Sequence, residues 1–157
     1  MADETLAYVA NYHPLVGHLI HQTGMVPILT EMMDDPNQEY VADGGTVVAG
    51  MIHNILSSEP IRLYRLTDFW SGKALTLLFP WNPCLSPEAI NEDRAGRALD
   101  ALYRAEPQKV FSAVMRQVIA QYALDVSHIH YDTTNKNFYG GLCQPDARTR
   151  ATTGTRL

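Results

Sequence analysis

Two histidines and an aspartate, spaced by single residues, form the most chemically suggestive stretch of the chain: His128, His130 and Asp132 in "SHIHYDTTNKNFYGG". Side chains alternate along a strand, so a strand here sets these three on one face and Ile129, Tyr131 and Thr133 on the other. Three kinds of chemistry fit. Two histidines two residues apart can bind zinc for hydrolysis, but the further ligands must then come from His13, His18, His21 or His53, since no histidine follows His130. An aspartate before Thr-Thr-Asn can simply open a turn, through local side-chain hydrogen bonds. An aspartate on a first strand can also begin a two-magnesium phosphoryl-transfer site, which needs carboxylates from several elements.

Basic residues are the second resource, and they are unevenly placed. Residues 1–61 carry eight acids and no lysine or arginine, whereas residues 62–157 hold all twelve basic residues against nine acids. A polyanion therefore meets the second half, with only a modest excess of charge. Arg94 and Arg97 lie three apart on an expected helix with Arg104 two turns beyond Arg97, and Arg62 and Arg65 precede Trp70. Arg62, Arg65, Arg94 and Arg97 are the candidate DNA contacts. On charge pairing alone, a solvated face balanced by Glu92, Asp93 and Asp100 carries more weight.

Other pairs offer less. His18 and His21 share a helical face but lack a third ligand, and the two cysteines, Cys84 and Cys143, have no metal or disulfide-framework spacing. "ADGG" lacks the spacing and lysine of a phosphate loop, and Trp70, Phe79 and Trp81 read as core anchors. The acidic N-terminus and the short apolar run "TVVAGMIHNIL" imply neither export nor membrane insertion, so a cytoplasmic protein is expected.

The elements that must position these groups are mostly helices. "PLVGHLIHQTG" places Leu15, Val16, Leu19 and Ile20 on an apolar stripe ending at Gly24, and "MVPILTEMMDD" follows with Pro27 in its first turn. Thr46 is expected to cap a central core helix with Val47, Met51 and Ile55 inward, and Ser71 to cap a helix through Leu78. Asn91 caps "NEDRAGRALDALYRAE", with acids in its first turn and Ala95, Ala98, Leu99, Leu102 and Tyr103 as its apolar stripe. Pro107 opens the next helix, with Val110, Phe111, Val114, Val118, Ile119 and Tyr122 expected inward. The period changes at "SHIHYDTT", where a strand and then a turn into a second strand are expected. The fold class is thus mainly α: a multi-helix domain over residues 1–125, then a short β-hairpin over 126–140. The threonine-rich, basic segment 141–157 reads as a disordered tail.

The ordered combination "NEDRAGRALD", a long helix, "YDTT" and "FYG" resembles the N-terminal region of insertion-sequence transposases with an RNase H-like DDE nuclease core. The resemblance covers roughly residues 15–140. It implies that Asp132 is the first of three catalytic acids and a magnesium ligand, in a reaction that cuts and joins DNA at the element's ends. It implies Mg²⁺ in the full-length enzyme, and DNA terminal repeats, a second copy or full-length transposase as partners. It breaks off after Gly140, so the expectation is a truncated, catalytically incomplete fragment with the hairpin as the start of its RNase H-like core. One carboxylate holds magnesium weakly, so no stably bound cofactor is expected.

Overall fold

The computed structural model describes residues 11–36 and 38–128. Within them are seven α-helices and two short 3-10 turns, and no strand. The chain divides into one unit up to Val126 and a second from Ser127. Of the expected strand only Ser127 and His128 are described, and both are bends. The rest of the hairpin, His130, Asp132 and the 141–157 segment lie outside the described residues. Among the described residues, no helix is long and apolar enough to cross a membrane.

Helix α1 spans His13–Gln22 with Pro14 in its first turn, where the missing N–H costs nothing. It stops at Gly24, whose φ of 65° suits glycine, and α2, Met25–Met33, starts at once. The expected inward stripe of α1 is displaced. Leu15 and Leu19 are exposed, while His13, Gly17 and Ile20 are buried. The cause is a close approach: a Cβ on Gly17 would sit 2.2 Å from the Leu78 carbonyl oxygen, so this face is where α1 meets the chain near Leu78.

Helix α3, Gly44–Ile55, is the core helix, with nine of its twelve residues buried. Its cap is Asp43, not Thr46: the Asp43 carboxylate accepts from the Thr46 N–H at 2.6 Å. Thr46 points inward instead and accepts from Trp81 Nε1 at 3.0 Å. Ile55, expected inside, is exposed because the helix ends there. Asn54 then binds both backbone groups of Ile61, at 2.8 and 2.9 Å, and so fixes the return of the chain after Pro60.

Of the expected helix from Ser71 to Leu78 only Leu75–Leu78 forms, after a break, and Ser71 closes the helix before it rather than capping this one. A 3-10 turn at Leu63–Arg65 leads into α4, Leu66–Trp70, and α5 covers Leu75–Leu78. Gly72 between them has φ 74°. The break lets Phe69, Trp70 and Phe79 turn toward α3, where Trp70 meets Phe69 and Phe79 edge-on at 4.7 and 5.4 Å. Trp70 and Phe79 are fully buried, as core anchors should be.

A 3-10 turn, Pro87–Ala89, precedes α6, Glu92–Arg104, which Asn91 caps by accepting from the Arg94 N–H at 3.0 Å. Helix α7 runs Pro107–Tyr122. Helix α6 buries only Ala95 and Ala98, and α7 only Val110, so Leu99, Tyr103, Phe111 and Tyr122, expected inward, are exposed: each helix packs on its neighbours along one narrow edge. These two helices lie against α3 and α2 like an outer arm.

Candidate functional site

The segment between α2 and α3, residues 34–43, looks like an ordinary turn in sequence, yet α6 holds it from a distance. Arg94 donates to the Ala42 carbonyl, and its guanidinium lies over the Tyr40 ring, 5.0 Å from the centroid. Asn82 donates to the Val41 carbonyl at 3.0 Å. Arg94 is therefore half-buried and partly used up in tying this segment down.

Beside this tie lies a cleft of about 210 Å³ lined by Asp34, Gln38, Tyr40, Arg94, Arg97 and Arg104. Ala98 and Ala101 also line it. Small side chains there leave space between Arg97 and Arg104, which stand two turns apart, about 10 Å along the axis. Both arginines are exposed. Arg97 donates from Nε to the Asp93 carbonyl at 3.3 Å, and neither arginine has a carboxylate in salt-bridge range among the described residues. The expected pairing of this face with Glu92, Asp93 and Asp100 is thus not formed.

The N-terminus of α3 also borders the cleft, but its positive end is already satisfied. Asp34 Oδ2 accepts the Gly44 N–H at 2.7 Å and Asp43 takes that of Thr46. Anion attraction there falls to the arginines.

The remaining candidates are elsewhere. Arg65 pairs with Asp68 at 2.8 Å, both about 61% exposed, and the bond to that carboxylate raises its pKa. It lines a different cleft, with Glu59 and Lys73, and Arg62 is exposed. The four expected DNA-contact arginines are therefore split, with Arg94 and Arg97 joined by Arg104, and Arg62 and Arg65 apart. His18 is exposed, and His21 stacks on Trp81 at 6.0 Å. His128 Nδ1 lies 2.9 Å from Ser127 Oγ. No three His, Cys, Asp or Glu side chains are grouped as a metal site among the described residues.

Sequence reasoning missed a buried imidazole pair. His13 Nδ1 and His53 Nδ1 are 3.3 Å apart across forty residues of chain, inside the cage of Phe69, Trp70 and Phe79. Burial and then the neighbouring His13 hold the His53 pKa down at about 4, against a smaller opposing pull from the Leu78 carbonyl. Burial and then Lys73 lower that of His13. Two neutral rings sharing one proton between facing nitrogens explain the contact without a ligand. His53 Nε2 and Trp70 Nε1 have no hydrogen-bond partner among the described residues. The pair is a core feature. The signals in sequence were single histidines on apolar helices, and only the fold could pair them.

A family model described as a domain of unknown function (DUF4277) matches residues 7–116. That span includes α1 to α6, most of α7 and all four arginines singled out in sequence, and ends before Asp132. No curated protein and no solved structure matches the chain.

Proposed function

We propose that this chain, which belongs to the DUF4277 family, is the helical N-terminal region of a DDE-type insertion-sequence transposase, and that its α6 face contacts DNA. The observation that carries the DNA contact is the pair Arg97 and Arg104, exposed beside the Arg94 tie with no carboxylate partner among the described residues. Unpaired guanidiniums on a helix row suit phosphate oxygens, which accept two parallel N–H bonds from one arginine. The transposase part of the reading is supported by the run from "NEDRAGRALD" to "YDTT" and "FYG". On it, Asp132 is the first of the carboxylates that hold magnesium in the resembled family. The helical unit contributes DNA positioning, not the chemical step.

The test is a mobility shift of the whole protein on duplexes carrying the sequences that flank its gene, repeated at rising salt. Two or three phosphate contacts give a log–log salt slope of about −2 to −3, and Arg97→Ala lowers it by about one. Absence of binding at low salt, or a slope untouched by Arg97→Ala, contradicts the reading.

A second reading, assembly with another transposase chain, is favoured by exposed aromatics on the arm. Tyr103 and Phe111 are 79% and 63% exposed, aromatic surface of the kind that a partner chain covers. Co-elution of full-length transposase that is lost in a Tyr103→Ser, Phe111→Ser variant supports it. Unchanged co-elution removes it.

A further inference from the structure

The cleft against α6 is mixed in character, and that mixture points to a particular ligand. A bare phosphate is best served by cations and N–H groups alone. Here Arg97 and Arg104 share the lining with the Asp34 carboxylate, the Gln38 side chain and the Tyr40 ring. Asp34 spends one oxygen on the Gly44 N–H, which leaves acceptor capacity on the carboxylate. A carboxylate repels a phosphate but accepts hydrogen bonds from the amino group of a nucleobase. Gln38 Oε1 accepts from the Tyr40 hydroxyl at 3.0 Å, so its amide nitrogen remains a donor. Arg94 covers one face of the Tyr40 ring, so a base entering the cleft meets that ring at its edge or on its opposite face.

We infer that this cleft binds one unstacked nucleotide, with its phosphate on Arg97 and Arg104 and its base beside Tyr40, Gln38 and Asp34. The inference rests on the DNA-contact reading above and sharpens it, because it requires a nucleotide drawn out of the duplex or already single-stranded. Bases read this way use their hydrogen-bonding edge and one ring face. Two features make the site a built one. The segment carrying Tyr40 is tied by long-range bonds from Arg94 and Asn82, and the neighbouring positions on α6 are the small Ala98 and Ala101.

The experiment titrates the whole protein with the four deoxynucleoside 5′-monophosphates and, separately, with inorganic phosphate, following side-chain NMR signals of Tyr40 and Gln38. At least one nucleotide binds about tenfold tighter than phosphate, the size expected of one stacked base. It shifts both side-chain signals and loses binding in Arg97→Ala, Arg104→Ala. Gln38→Ala removes most of the preference over phosphate while retaining phosphate binding. Equal affinity for phosphate and nucleotides, binding that leaves the Tyr40 and Gln38 signals in place, or no binding of either overturns the inference. Salt-sensitive binding to a random-sequence duplex is measured on the same samples. Duplex binding without nucleotide binding removes the inference and leaves the DNA-contact reading standing. Nucleotide binding without duplex binding does the reverse.

Discussion

Helix α3, twelve residues without an acidic or basic side chain other than His53, buries nine of them, whereas helix α7, sixteen residues with Lys109, Arg116 and three glutamines, buries one. The first is surrounded by α1, α2 and α6, with Trp70 and Ile90 close against its Gly50. The second rests on α2 and α6, with no other helix packed closely on it among the described residues, and α6 beside it buries only two alanines. The difference separates two tasks. The α3 side spends its apolar surface on holding the fold together, and the α6–α7 side keeps arginines and aromatics on the outside, where they are available to a partner.

That contrast can be broken most forcefully on the core side. Trp70→Ala removes a fully buried ring from the centre of the aromatic cage and costs about 3–5 kcal/mol, measured by denaturant unfolding. Trp70→Phe costs clearly less, because it also removes a buried N–H that has no partner among the described residues.

Acid strikes the same region. The folded state keeps His53 neutral with a pKa of about 4, whereas in the unfolded chain it titrates near 6.5. The unfolded state therefore binds the proton first, and stability that is complete above pH 6.5 is lost as the pH falls toward 4. The loss attributable to His53 is about 3 kcal/mol, with His13 shifted in the same direction. In unfolding measured from pH 7 to pH 4, His53→Leu flattens this slope. An equally steep slope in the variant contradicts the neutral-pair account.

A smaller effect is expected at the border between the two regions. Asp43→Ala removes the cap of α3 and costs about 1 kcal/mol, read as a drop in melting temperature.

The starts of the arm's helices were legible in the sequence, but their inward faces were not, since Leu99, Tyr103, Phe111 and Tyr122, expected inside, are exposed. Asn91 and Pro107 are start signals that act within one turn of their helices, so α6 and α7 were legible at their true beginnings. The mainly helical class and the burial of Trp70 and Phe79 were legible for the same local reasons of period and size. Helix α1 was misjudged because its inward face is decided by the meeting of Gly17 with Leu78, sixty-one residues away, against the pull of Leu15 and Leu19. The α3 cap was misplaced because Asp43 and Thr46 are both good capping residues, and Trp81 claims the threonine. Arg94 and Arg97 were visible as basic positions. That Arg94 is spent on Ala42 and Tyr40 while Arg97 and Arg104 stay unpaired depends on the 34–43 segment arriving from fifty residues upstream. No local pattern encodes that arrival.

At the small end of the stability scale lie the arm's own residues, and the central claim is tested there. Arg97→Ala, Arg104→Ala should change unfolding free energy by no more than about 0.5 kcal/mol, as exposed residues without a salt-bridge partner do. The decisive measurement pairs that unfolding curve with DNA affinity on the same preparation at low and moderate salt. The account predicts an unchanged curve together with at least a tenfold loss of low-salt affinity and a shallower salt slope. Undiminished affinity in a variant that folds normally would contradict it.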